Sequence, residues 1–382
     1  MGAHAPPHWK EFDRASGFSL STLNVLDLML RGESQKGVAR LRRWTCKMRV
    51  RPALCRLLST QMFDCPRVDY NRQLLSRSRG MRELTGKVGS MTSRAPRREL
   101  RNMLVPGAAL LLPGVANALA ARVVADQGFA AAYVTGAGIA NTFFGVPDIG
   151  LVTVSELAAH VAAIREAFPG PLVVDADTGF GNAVNVVRTV CLLERAGADA
   201  LQIEDQVFPK RCGHFAGKHV IAAAEMVEKI KAAVDTRRDR DLLIIARTDA
   251  IAPEGYAAAL ERAAAYREAG ADVTFVEAPT SMEQIADIPR RLPWPQLLNI
   301  VLGGRTPELP NEKLKELGYA GVIYANVALQ SALKGMQAAL GELRRKGYMG
   351  NAMELVMDFA ERQRLVHKDE FDALERKYVV KD

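Results

Sequence analysis

Acidic and basic side chains follow short apolar runs of this sequence, at the points where the runs end. Asp175 and Asp177 follow one run, Glu204 follows the next, and Arg247 and Glu277 follow two later ones. Several carboxylates at one rim would repel one another unless a cation lay among them. Oxygen ligands without a His or Cys cluster favour Mg2+ or Mn2+ over zinc. We therefore predict that Asp175, Asp177 and Glu204 surround a divalent ion, directly or through water; the alternative is that they only cap helices and form salt bridges.

The loop after the fourth apolar run holds two cations, a thiol and an imidazole within five residues, Lys210-Arg-Cys-Gly-His214. Positively charged neighbours favour the thiolate form of a cysteine. Cys212 is therefore predicted to be a reactive group rather than a packing residue. A glycine-bearing loop of this kind is also suited to move over a site.

Eight apolar runs alternate with helical segments, and this alternation predicts how the polar residues are positioned. Unbroken apolar runs of this length are typical of strands buried on both faces of a parallel sheet. The predicted strands are Ala109–Leu112, Ala131–Val134, Leu172–Asp175, Ala200–Ile203, Leu242–Ala246, Val273–Val276, Leu297–Val301 and Gly321–Tyr324. The predicted helices are Ala116–Gln127, Val154–Ala167, Ala183–Ala196, Ala222–Asp235, Gly255–Ala269, Ser281–Arg290, Asn311–Leu317 and Val327–Lys346.

Eight such units predict an α/β chain folded as a (β/α)8 TIM-type barrel, whose chemistry lies at the C-terminal ends of the strands. The alternative is a doubly wound open sheet. That fold usually carries a glycine-rich phosphate turn after its first strand, and no such turn follows the first run here.

The predicted barrel covers residues 94–346, with different segments on either side. Residues 1–93 hold 17 of the 51 basic residues and 7 of the 43 acidic ones, and they lack sustained apolar periodicity. We favour a translation start near Met81 or Met91, which would make this stretch an artefact; a disordered extension and a targeting segment are the alternatives. Residues 347–382 are predicted to form helices that pack on a neighbouring subunit.

Composition excludes several classes of protein. The sequence has no apolar run long enough to span a membrane, and its five cysteines are scattered rather than paired. A cytoplasmic location is the resulting expectation. Of the net charge of +8, all the excess lies in residues 1–93, since the remainder holds 34 basic against 36 acidic residues. No nucleic-acid surface is therefore predicted on the barrel.

Seven segments together resemble the isocitrate lyase/phosphoenolpyruvate mutase superfamily, in particular its methylisocitrate lyase and 2,3-dimethylmalate lyase branch. They are Tyr133-Val-Thr-Gly, Pro147-Asp148-Ile-Gly, Asp175-Ala-Asp177, Ile203-Glu204-Asp205-Gln206, Lys210-Arg-Cys-Gly-His214, Ala246-Arg247-Thr-Asp249 and Glu277. The resemblance covers roughly residues 95–345. The loop with Cys212 is its most specific part.

The resemblance implies a Mg2+-dependent carbon–carbon lyase of the retro-aldol type, acting on a small carboxylate as a homotetramer. It places the ion among Asp175, Asp177 and Glu204, and it makes Cys212 the acid that protonates the carbanion. Tyr133 and Arg247 lie where the family handles the hydroxyl proton and the carbonyl product. The further implied residues are Lys210 and His214 for catalysis, Thr135, Gly136, Ala137, Gly213, Glu277 and Asn299 for substrate binding, and Asp148 as another site residue.

Departures from the family pattern bear on the substrate. Thr135 stands where these lyases often have Ser, so its methyl group narrows the site. The segment from Asn299 to Pro307 is closer to the dimethylmalate lyase type, which argues against a third substrate carboxylate. An alkylmalate is therefore predicted, followed by methylisocitrate. The alternatives are phosphonate chemistry, oxaloacetate hydrolysis or decarboxylation, and a barrel scaffold without activity.

Overall fold

The structure, a computed structural model, describes residues 94–211, 213 and 217–380. The predictions for residues 1–93 and for Cys212 and His214 therefore lie outside the described residues.

The strands are β1 (Leu110–Val115), β2 (Ala132–Val134), β3 (Leu172–Asp175), β4 (Ala200–Glu204), β5 (Leu243–Thr248), β6 (Val273–Val276), β7 (Gln296–Asn299) and β8 (Gly321–Tyr324). The helices are α1 (Arg94–Met103), α2 (Ala118–Asp126), α3 (Gly136–Ile139), α4 (Val154–Ala167), α5 (Ala183–Ala196), α6 (Ala223–Thr236), α7 (Ile251–Glu254), α8 (Tyr256–Glu268), α9 (Met282–Arg291), α10 (Asn311–Leu317), α11 (Val327–Lys346), α12 (Phe359–Leu365) and α13 (Lys368–Tyr378), with a π-helix at Ala140–Phe144 and a 3-10 turn at Met353–Leu355.

The eight strands form a closed barrel in sequence order, which confirms the predicted (β/α)8 fold. Every neighbouring pair is parallel, and β1 closes the barrel on β8 with Leu111 opposite Val322. Strands β4 and β5 run further than predicted, so that Glu204 and Arg247 face each other as a ladder pair. Their side chains are therefore held by sheet backbone rather than by loop backbone.

Strand periodicity determines which side chains point into the barrel. Val173, Ala200 and Ile245 belong to one apolar cluster inside the barrel, whereas Val174, Leu201 and Ile244 pack in the layer beneath the helices. Side chains two residues apart share a face of a strand. Asp175, Glu204 and Arg247 therefore point to the barrel axis, above the apolar interior.

The opposite, N-terminal end of the barrel is closed by Arg97 of α1. Its guanidinium is buried and lies 3.2 Å from both Glu194 Oε1 and Asp239 Oδ2. It also donates to the carbonyls of Glu194 and Ala198, at 3.0 and 3.2 Å. One side chain thus links α1 to the segments that precede β4 and β5.

Replacing Arg97 by alanine is expected to lower the free energy of unfolding by about 3–5 kcal/mol, because it leaves buried carboxylates without their cation. Urea denaturation measures this change. Arg98 is the matched control, since it is exposed on the same helix, and Arg98→Ala should change stability by about 0.5 kcal/mol or less. Equal effects of the two changes would contradict the assignment.

The C-terminal segment forms helices, as predicted from the sequence. It forms α12 and α13, which are separated by His367 in a left-handed conformation with φ of 58°. Arg364 joins α12 to α2 through a two-pronged ion pair with Asp126, at 2.7 and 2.9 Å. None of the helices in the described part of the chain is both long and apolar enough to cross a membrane.

Candidate active site

One cavity at the C-terminal end of the barrel collects most of the side chains predicted from the sequence. They are Tyr133, Thr135, Ala137, Asp148, Asp175, Glu204, Lys210, Gly213, Arg247, Glu277 and Asn299. Four further lining residues were not among the predicted site residues: Arg211, Val301, Ala325 and Asn326. The last three follow β7 and β8. Asn326 fits the rule that polar side chains follow the strand ends, whereas Val301 and Ala325 are apolar and carry no such signal.

Lys210 neutralises the acidic side of the cavity. Its buried ammonium lies 2.5 Å from Asp148 Oδ1 and 2.8 Å from Asp177 Oδ1. Burial alone would lower the pKa of Lys210, but the attraction of Asp177, Glu204, Asp148 and Asp175 outweighs it and raises the pKa well above 10.5. Lys210 therefore stays charged and joins the loop after β4 to the loops after β2 and β3.

Asp175 and Asp177 form a tight turn at the end of β3. The backbone N–H of Asp177 donates to Asp175 Oδ1 at 3.1 Å, and Asp177 itself has a φ of 47°, in the left-handed region. A Cβ atom at Gly136 would lie only 3.1 Å from Asp177 Oδ1 and 3.5 Å from Asp175 Oδ2. The glycine predicted to bind substrate thus leaves open the space in front of both carboxylates.

Glu204 is a buried carboxylate with one oxygen left over. Its Oε2 lies 3.3 Å from Arg247 Nε, whereas its Oε1 has no hydrogen-bond partner among the residues described. Burial raises the pKa of Glu204 well above 4.5, and Asp249 and Asp175 add to this, while Arg247 and Lys210 oppose it. Ionised Glu204 would therefore gain from a further cation in the cavity.

Arg247 provides a second positive charge in the cavity, next to Glu204. Its Nε and Nη2 donate to the two oxygens of Asp249 at 2.9 and 3.1 Å, and its guanidinium lies over the ring of Phe275. Burial opposes the charge, but Asp249, Glu277 and Glu204 raise the pKa of Arg247 well above its ordinary value. Arg247 is thus a fixed, permanently charged donor.

Tyr133 of β2 is buried among the charged side chains of the cavity. Burial raises the pKa of its phenol well above 10, and the negative charge of Asp175 adds to this, whereas Arg247 opposes it. Tyr133 therefore retains its proton in this arrangement and serves as a hydrogen-bond donor.

Another buried carboxylate, Asp205, holds the backbone of Asp249, and it was not among the predicted site residues. Its Oδ1 accepts from the backbone N–H of Asp249 at 2.9 Å, and its Oδ2 accepts from the hydroxyls of Thr248 and Tyr266 at 2.7 and 2.8 Å. Asp205 follows the fourth strand but does not line the cavity, so only the folded structure indicates what it contacts.

The donor set suits a hard divalent cation, although the protein alone does not enclose one. In the described ranges, no three His, Cys, Asp or Glu side chains are close enough to chelate a metal directly. Mg2+ usually keeps several waters and takes one or two carboxylates. Glu204 Oε1 and the Asp175 oxygen facing Gly136 fit that demand.

Comparison with known proteins was consistent across sequence and structure. The sequence model of a family described as phosphoenolpyruvate phosphomutase matches residues 100–344. The chain is 42% identical over 280 residues to 2,3-dimethylmalate lyase of Eubacterium barkeri, which covers 73% of this chain and 97% of the relative. It is 46% identical over 248 residues to 2-methylisocitrate lyase of Aeropyrum pernix, which covers 65% and 80% of the two chains.

Two solved structures share the fold over most of the chain. A crystal structure of 2,3-dimethylmalate lyase, described as a member of the PEP mutase/isocitrate lyase superfamily, aligns with a TM-score of 0.70 at 37% identity, covering 76% of this chain and 96% of that one. Phosphonopyruvate hydrolase in complex with oxalate and Mg2+ aligns with a TM-score of 0.67 at 30% identity, covering 75% and 99%.

Proposed function

The chain belongs to the phosphoenolpyruvate mutase/isocitrate lyase superfamily, and from this premise we propose that it is a carbon–carbon lyase acting on a 2-hydroxy di- or tricarboxylate. The preferred substrate class is an alkylmalate, cleaved by a retro-aldol step to a 2-oxoacid and a simple carboxylate. The observation that carries the proposal is one cavity lined by the carboxylates Asp175 and Glu204 and by the immobilised Arg247.

Asp175 and Glu204 are the side chains that would hold Mg2+, with Asp177 and Lys210 behind them. When bound, the ion would draw in the carboxylate and hydroxyl oxygens of the substrate and stabilise negative charge on the 2-oxygen. Mn2+ would serve the same ligands. A phosphonopyruvate hydrolase of the same fold, solved with oxalate and Mg2+, supports the choice of metal.

The protein side chains account for the remaining steps of the proposal. A carboxylate of the acidic cluster is proposed to accept the proton of the 2-hydroxyl group. This transfer leaves negative charge on that oxygen. Arg247 and the protonated phenol of Tyr133 stabilise the oxygen as the bond between C2 and C3 breaks. Cleavage leaves a carbanion next to a carboxylate, and Cys212 is proposed to give it a proton.

The relatives favour this chemistry over the alternatives. Both of the relatives compared above are named as lyases. Among the solved structures, 2,3-dimethylmalate lyase is 37% identical to this chain and phosphonopyruvate hydrolase 30%. Conversion of oxaloacetate or a phosphonate therefore remains an outcome of the assay rather than the main proposal.

An assay of 2-oxoacid release decides between these chemistries. We expect the purified protein to cleave 2,3-dimethylmalate or another alkylmalate, with methylisocitrate next, and to lose this activity in EDTA until Mg2+ is returned. Oxaloacetate and phosphonopyruvate serve as the comparison substrates. Failure to cleave any 2-hydroxy acid with or without Mg2+ would refute the lyase, and turnover of phosphonopyruvate alone would favour the alternative.

The exposed face of α11 supports the further proposal that the protein is a homo-oligomer, with a tetramer expected. Leu333, Met336, Leu340 and Leu343 form an apolar stripe along this helix, and each is 40–61% exposed. The helix buries none of its own residues against the barrel. An apolar stripe of this length is unfavourable when exposed to water, so we expect a partner surface to cover it.

Introducing a charge into this stripe is expected to dissociate the oligomer. Leu340→Glu would place a carboxylate in the apolar contact, so the particle mass in size-exclusion chromatography with light scattering should fall. Lys334→Glu is the matched control on the same helix, because residue 334 is exposed and polar. A monomeric parent protein, or an unchanged mass for Leu340→Glu, would contradict this assignment.

A further inference from the structure

Lys218 connects Asp249 to Gly213, which follows Cys212 in the sequence. Its buried ammonium lies 2.8 Å from Asp249 Oδ1 and donates to the carbonyl oxygen of Gly213 at 2.5 Å. The side chains of Lys218 and Asp249 are 2% and 0% exposed. A buried ion pair is weak evidence for stability, so the importance of this pair lies in the groups that it joins.

Gly213 packs so closely against the cavity that no side chain would fit. A Cβ atom at this position would lie 2.4 Å from Arg247 Nη2 and 2.6 Å from Glu277 Oε1. The backbone at Gly213 is thus in contact with the same guanidinium that Asp249 holds through two hydrogen bonds. Asp249 therefore orients both Arg247 and, through Lys218, the loop beside it.

The far end of this connection is rigid. The backbone of Asp249 is held by Asp205, which also accepts hydrogen bonds from Thr248 and from Tyr266 of α8. Lys218 itself is two residues from Val220, which pairs with Gln206 in an antiparallel bridge. Each end of the tether is thus fixed by contacts outside the loop tip.

We propose that Lys218 and Asp249 are positioning residues that hold the backbone of Gly213, the sequence neighbour of Cys212, against Arg247. The proposal rests on the lyase function for its effect on turnover, since a proton donor must lie close to the carbon it protonates. The predicted effect on the accessibility of Cys212 is independent of the lyase function, because it can be measured without substrate.

The test compares Lys218→Met with the parent in two measurements. The rate of alkylation of Cys212 by iodoacetamide, followed by peptide mass spectrometry and normalised to Cys191 in the same sample, should rise roughly tenfold or more once the charge-assisted hydrogen bond to Gly213 is lost. The kcat for the cleaved acid should fall on the order of 100-fold, with a smaller change in KM, because the donor is no longer oriented.

Three further variants separate positioning from stability. Lys218→Arg keeps the charge and should recover part of kcat and part of the protection from alkylation. Gly213→Ala forces the loop off Arg247 and Glu277 and should raise the alkylation rate with Lys218 intact. Lys231→Met, at an exposed lysine of α6, should change neither quantity.

An unchanged rate of alkylation of Cys212 in Lys218→Met would overturn the proposal that Lys218 holds Gly213. This would hold even if kcat falls, because the fall in kcat would then have another cause. Faster alkylation with unchanged kcat would overturn its role in turnover. If the parent cleaves none of the acids, the lyase proposal fails, and the alkylation rates alone decide whether Lys218 restrains the loop.

Discussion

Replacing Cys212 by serine is expected to lower kcat by roughly 100- to 10,000-fold, the range typical of losing a positioned general acid. A serine hydroxyl is nearly the size of a thiol but a far weaker acid, so substrate binding should be kept while protonation of the carbanion slows. Turnover of the best acid in the panel measures the effect. A similar KM would locate the loss in the chemical step.

Cys191 provides the matched control for this change. It lies in α5, behind the strands, and is partly buried as a free thiol. Cys191→Ser should therefore leave kcat within about threefold of the parent, a limit expected for a residue without a catalytic role. Retention of full activity by Cys212→Ser would remove the thiol from the mechanism and would favour an acid from another part of the cavity.

Changing Glu204 to glutamine is expected to weaken Mg2+ binding by roughly 10- to 100-fold or more, with a matching loss of lyase activity. The amide keeps the shape of the side chain but removes the negative charge of the carboxylate. Oε1 of this carboxylate has no hydrogen-bond partner among the described residues. Titration with Mg2+ alone, followed by calorimetry and by the shift in unfolding temperature, measures the effect without substrate.

The same change should not destabilise the metal-free protein. Burial raises the pKa of Glu204 well above 4.5, so this carboxylate is costly to ionise in the folded state. Arg247 keeps Asp249 as its two-pronged partner. Glu228→Gln, at an exposed residue of α6, is the control and should keep the full response to Mg2+. An unchanged Mg2+ response in Glu204→Gln would exclude this residue as a ligand.

Much of the site followed from the sequence because the strand ends follow a simple rule. Period-two alternation carries Asp175, Glu204 and Arg247 inward on the same side as Val173, Ala200 and Ile245. The eight apolar runs predicted the closed barrel, and the structure confirms it. Val301 and Ala325 also line the cavity, but they are apolar, so polar side chains at strand ends do not indicate them.

The sequence by itself determined the strands, their order and the chemical types gathered at one end of the barrel, because these depend on local apolar patterns and on parallel closure. Only the tertiary structure decided which charges pair. Lys210 meets Asp148 and Asp177, and Asp249 meets Arg247 and Lys218. Apart from Arg247 and Asp249, which lie two residues apart at the end of β5, these pairs join loops from different βα units, and their distances are set by how the strands stagger and close around the axis. No spacing along the chain encodes those distances, and that is why the tether at Lys218 became visible only in three dimensions.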